Sequence, residues 1–109
     1  MKPVTDDTIQ RMARRIVRRF KPERIILFGS RARGDATPDS DVDLLVVMPV
    51  TGSRREKQLE IRLALHHGFA TVPTDVILVT PQEYITDARL SGTIVRPAVR
   101  EGKVLYVRG

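Results

Sequence analysis

Two aspartates, Asp41 and Asp43, stand two residues apart in the run Ser40-Asp41-Val42-Asp43-Leu44, whose apolar content marks a β-strand. Alternate residues of a strand project from one face, about 6.6 Å apart along the chain, so both carboxylates are expected on one patch while Val42 and Leu44 point away. Like charges held that close raise one another's pKa unless a cation sits between them, and hard oxygen donors select magnesium or manganese. Asp75 opens a later apolar segment, Val76 to Val79, and joins the pair if the two strands are neighbours in one sheet. Three carboxylates from two strands suit two metal ions about 3.5–4 Å apart, an arrangement that serves both oxygens of an in-line phosphoryl displacement. One ion, held mainly by Asp41 and Asp43, is expected to bridge a triphosphate. The second, also touching Asp75, is expected to lower the pKa of an acceptor hydroxyl.

A triphosphate needs its own cradle, and Gly29-Ser30-Arg31-Ala32-Arg33-Gly34 has the composition for one. A strand ending in Gly-Ser and turning into a short helix aims backbone N–H groups at an anion, with no side chain at Gly29 to block close approach. Ser30 adds a hydroxyl, and Arg31 and Arg33 are candidates for forked contacts to phosphate that lysine would not reproduce. Each piece has a plainer reading: Gly-Ser is commonly only a helix cap, Asp-x-Asp a solvated strand end, Asp75 a loop carboxylate. Their occurrence together, in order and between apolar strands, favours the chemical reading.

The elements that must position these residues are legible from pattern. Ile9, Met12, Ala13, Ile16, Val17 and Phe20 recur at helical spacing, with Arg11, Arg14, Arg15, Arg18 and Arg19 on the other face. This predicts an amphipathic helix over 7–20 with Thr5 as N-cap, stopped by Pro22. Strands are predicted over 24–28, 41–48, 76–79 and 103–107. Ser53 to Glu56 has capping-box spacing and predicts a helix running to about Phe69. A second box, Thr80-Pro81-Gln82-Glu83, predicts a short helix, and the stretch 87–101 is expected to be helical in its second half despite Gly92 and Pro97. His66 and His67 are adjacent and diverge by about 100° on a helix, so they read as helix-face residues rather than a catalytic pair.

With 109 residues the expectation is a single domain over 1–109. The absence of cysteine excludes disulfides, thiolate metal sites and cysteine nucleophiles. The longest apolar run, Leu44 to Met48, is far short of a membrane span, so no membrane partner and a cytoplasmic location are expected. A net charge of +6 favours polyanionic partners but does not choose among a nucleotide, a nucleic acid and an acidic protein. The arginine face of the first helix is by default solvated, and by function a docking surface for an acidic protein or an RNA.

Gly-Ser, ten residues, Asp-x-Asp and a later strand aspartate together resemble the DNA polymerase beta-like nucleotidyltransferase superfamily. The wording GSRARG, SDVDLLV and the closing Arg100-Glu101-Gly102-Lys103-Val104-Leu105-Tyr106 is similar to its minimal, MNT-type members. The resemblance spans nearly the whole chain. It implies an α/β nucleotidyltransferase fold, a small mixed sheet of about four strands flanked by helices. It also implies two magnesium ions (manganese as substitute), Asp41, Asp43 and Asp75 as ligands, and Gly29 with Ser30 at the nucleotide phosphates. It further implies ATP, or another nucleoside triphosphate, as donor and a HEPN-type toxin as partner. AMP would then pass to a toxin tyrosine, with an antitoxin role and a hetero-oligomer as consequences. Larger enzymes of that superfamily carry an extra acceptor-binding domain, for which this length leaves no room, so the acceptor is expected to supply its own positioning. A non-catalytic antitoxin that acts by contact, and a basic RNA-binding adaptor, are the alternative readings; nucleic acid is compatible with the charge but not required.

Overall fold

The basic-backed segment forms α1, Asp6–Phe20, in a computed structural model that describes residues 4–109. Thr5 Oγ1 accepts the Thr8 N–H at 3.2 Å, Ile9, Met12, Ala13 and Ile16 are buried, and Lys21 ends the helix in the left-handed region at φ 51°. There follow β1 (Arg24–Phe28), α2 (Ser30–Arg33), β2 (Val42–Val47), α3 (Arg54–Phe69), β3 (Thr74–Val79), α4 (Pro81–Asp87), α5 (Val95–Glu101) and β4 (Lys103–Val107). No described helix is long and apolar enough to cross a membrane.

The four strands form one sheet in the order β3-β2-β1-β4, with β2 and β3 parallel and the other pairs antiparallel. The α/β architecture with a mixed four-stranded sheet is the one the sequence implies. Strand β2 lies between β3 and β1, and helices cover both faces, so five of its six residues are buried; Asp43 alone is partly exposed. Period-two alternation divides the rest. Val42, Leu44 and Val46 pack with Met12 and Ile16 of α1 and Ile61 and Leu65 of α3, while Leu45 and Val47 pack with Ile26, Val79, Val95 and Ala98 on the other face.

Helix α3 departs from the uninterrupted run expected up to Phe69. His67 (φ −72°, ψ 90°) and Gly68 (φ 112°) leave helical geometry, and the turn they make brings Phe69 into the core. The freed carbonyls are taken up by Arg15, whose guanidinium donates to Ala64 O at 3.1 Å and to His67 O, while Arg11 and Arg15 both lie over the Phe69 ring. Part of the arginine face of α1 is therefore structural. His66 and His67 are both exposed, but only His66 lies on the helix face, because the chain leaves helical geometry at His67.

At α4 the capping box closes fully: Thr80 Oγ1 accepts the Glu83 N–H at 3.1 Å and Glu83 Oε1 accepts the Thr80 N–H at 2.9 Å. That N–H, with help from Arg54, holds the Glu83 carboxyl below its ordinary pKa. Thr80→Ala is expected to cost about 1 kcal/mol, read as a Tm lower by about 5 °C, with the sheet's carboxylate end untouched.

Candidate active site

The strand ends that carry the acidic residues meet at one edge of the sheet. Asp43 pairs with Phe28 across the antiparallel β1–β2 ladder and with Asp75 across the parallel β2–β3 ladder. Residues paired in register on adjacent strands share a face, so Asp43 and Asp75 lie side by side on the face of Leu45, Val47 and Val79. Asp75 is the second residue of β3, which begins at Thr74 rather than Val76. Asp41 stands one residue before β2 and is exposed, whereas Asp43 and Asp75 are partly buried.

The electrostatics agree with this placement. Burial pushes the Asp43 carboxyl above its ordinary pKa, the negative charges of Asp75 and then Asp41 push it further, and the Arg33 guanidinium works against them. A partly desolvated carboxylate between two others is an arrangement that a bound cation relieves. Among the described residues, however, the three do not close into a ready-made cage of metal-ligating groups. Asp75 Oδ1 instead accepts from Arg62 Nη2 at 2.6 Å, an exposed pair in which Arg62 reaches edge strand β3 from α3 on the opposite face. The donor set is nevertheless all hard oxygen, which fits magnesium or manganese and not a soft metal. A hollow of about 180 Å³ lined by Arg62, His66, Phe69 and Thr74 adjoins that pair.

Gly29 ends β1 with φ 75° and ψ −159°, a region that only glycine occupies readily, and serves as the N-cap of the single-turn α2. A Cβ on Gly29 would overlap Asp43 Oδ2, so the turn is pressed directly against the central carboxylate. Ser30 opens the turn, and the Ala32 and Arg33 N–H groups bond back to Gly29 O at 3.1 Å each. The two arginines part company. Arg33 is exposed and stands between Asp35 at 3.4 Å and Glu101 at 3.8 Å, whereas Arg31 directs Nε and Nη2 to Ser40 O at 3.0 and 2.7 Å.

The chain matches the nucleotidyltransferase domain family over residues 9–100. It belongs to that family. A Methanocaldococcus jannaschii protein provisionally named protein adenylyltransferase MJ0604 is 33% identical over 88 residues, covering 81% of this chain and 82% of the relative. A second from the same organism, provisionally named protein adenylyltransferase MJ0141, is 48% identical over 48 residues, 44% of this chain; there the match spans about half, 48%, of the relative. Among solved structures, a toxin–antitoxin crystal structure with AMP-PNP aligns with a TM-score of 0.62 at 24% identity, over 91% of this chain and 73% of that one. A complex of tri-AMPylated Shewanella oneidensis HEPN toxin with MNT antitoxin aligns with a TM-score of 0.52 at 22% identity, over 94% and 69%. At those identities the structures establish a shared nucleotidyltransferase fold.

Sequence reasoning missed Arg62 and the part that Ser40 plays. Nothing local announces either one: Arg62 is one arginine among several on a polar helix, and its partner lies across a strand boundary.

Proposed function

We propose that this nucleotidyltransferase domain transfers AMP from ATP to an acceptor hydroxyl, a tyrosine of a cognate HEPN-type toxin, and thereby acts as the antitoxin of the pair. The observation that carries the reading is the Asp43–Asp75 register pair with Gly29 against Asp43 Oδ2, which puts an acidic cluster beside a turn whose first residue has no side chain. The family match, the adenylyltransferase names of its relatives and the toxin–antitoxin fold neighbours support the same direction.

In this reading Asp41, Asp43 and Asp75 hold magnesium, which when bound supplies charge neutralisation at the triphosphate and acidifies the acceptor hydroxyl. Gly29 lets the phosphates approach the backbone, Ser30 donates its hydroxyl to a phosphate oxygen, and Arg33, whose exposed guanidinium is paired only with surface carboxylates among the described residues, is placed to offset charge on the leaving pyrophosphate. Asp75, in register with Asp43, would have to exchange its bond to Arg62 for the metal in order to serve as a ligand. The attacking oxygen displaces pyrophosphate from the α-phosphorus of ATP, which leaves AMP esterified to the acceptor.

Incubation with α-labelled ATP, magnesium and the candidate toxin should label the toxin. Labelling should disappear with EDTA, with Asp41→Asn and with Tyr→Phe at the acceptor. Neutralisation by contact alone makes the opposite forecast: Asp41→Asn would protect cells from the toxin as well as the native chain does, with no label transferred.

A further inference from the structure

Arg31 follows Ser30 in the phosphate turn, yet its guanidinium faces the other half of the site. Nε and Nη2 converge on the single carbonyl oxygen of Ser40 at 3.0 and 2.7 Å, and Nη2 lies 3.5 Å from Pro38 O. The first two are well-formed charge-assisted bonds and the third is marginal. The Ser40 carbonyl belongs to the same rigid peptide plane as the N–H of Asp41. Fixing that oxygen therefore fixes the orientation of the plane from which Asp41 departs.

Asp41 needs such a fixture more than its companions do. Asp43 and Asp75 are held by ladder pairing on β2 and β3, whereas Asp41 lies outside the strand at the end of an irregular connector whose residues 34–39 are exposed. The connector ties its own turn together, with Ser40 N–H to Thr37 O at 3.0 Å and Thr37 N–H to Ser40 Oγ at 2.9 Å. Those bonds shape the turn but do not attach it to the body. The start of the connector is held by Asp35 N–H to Ser30 O at 3.2 Å, but beside Asp41 itself attachment comes from Val42 N–H to Pro73 O at 2.8 Å on one side and from Arg31 on the other.

We propose that Arg31 is a positioning residue: its fork locks the Ser40–Asp41 peptide to α2 and so sets Asp41 for metal binding. The proposal rests on the reading of Asp41, Asp43 and Asp75 as metal ligands. One side chain then couples the phosphate turn to the acidic cluster, which explains an arginine at this position by a bond other than one to phosphate.

The test separates metal binding from nucleotide binding in the whole chain. Mn2+ affinity is measured by electron paramagnetic resonance without nucleotide, and ATP affinity by calorimetry in EDTA, with circular dichroism as the check on folding. Arg31→Ala should weaken Mn2+ binding about tenfold, the usual effect of removing a group that orients a metal ligand, and leave metal-free ATP binding unchanged. Arg31→Lys keeps the charge but not the fork, so it should fall with the alanine variant; it also carries the test if the alanine variant does not fold. Loss of metal-free ATP binding in Arg31→Ala, restored by lysine and with Mn2+ affinity intact, would overturn the proposal in favour of a phosphate contact. A native Mn2+ signal that survives Asp43→Asn overturns the metal-ligand reading itself, and is told apart by not involving Arg31.

Discussion

Asp43→Asn is expected to lower nucleotidyl transfer at least about a thousandfold, about 4 kcal/mol of transition-state stabilisation, while making the metal-free protein more stable at neutral pH. The two effects have one cause. Asp43 is the sole partly exposed residue of a buried central strand and stands in register with Asp75. Burial and its acidic neighbours raise its pKa. Between the ordinary pKa and the raised one the folded state binds more protons than the unfolded state, so stability falls as pH rises through that window and the loss is complete above it. Asparagine has the same shape and no charge, and escapes the loss. Thermal melts in EDTA should therefore show the variant above the native chain at pH 7, with a smaller gap near pH 4, beside a transfer assay that shows no product. A variant less stable than the native chain at pH 7 would mean that the acidic cluster is not strained, and would remove the physical ground for a cation there.

Gly29→Ala should lose both properties together. Its φ of 75° with ψ of −159° costs a side-chain-bearing residue about 1–3 kcal/mol, and the new methyl would overlap Asp43 Oδ2 besides. Relief requires Asp43 or the turn to move, and a displacement of about 1 Å at a reacting centre costs on the order of a hundredfold in rate. Transfer should drop by about that factor and Tm by about 5 °C or more. Gly34 supplies the control, since it also has positive φ, 87°, but a methyl there meets open space. Gly34→Ala should pay only the backbone term and keep most of the activity. Equal losses in the two variants would show that the contact with Asp43 is irrelevant.

These opposite stability signs, a gain at Asp43 and a loss at Gly29, are what a site assembled against local stability should give. The proposed function asks there for a charge where burial resists one, and for a backbone conformation that other residues resist.

The amino-acid sequence alone determined whatever depends on neighbours a few residues apart. Helix α1 follows from apolar spacing and a threonine cap, α4 from a reciprocal capping box, and the four strands from apolar runs bounded by glycine and proline. Gly-Ser and Asp-x-Asp are likewise short-range patterns, legible because each fixes its geometry through its own turn or pleat. The register that sets Asp75 beside Asp43 is different, since it is decided by which apolar residues of β2 and β3 bury together across the long excursion through α3. Arg31 turning to Ser40, Arg62 to Asp75 and Arg15 to the broken end of α3 are of the same kind. A guanidinium on a flexible stem has many partners within reach, and only the packed fold, by bringing one unpaired carbonyl or carboxylate near it, selects among them.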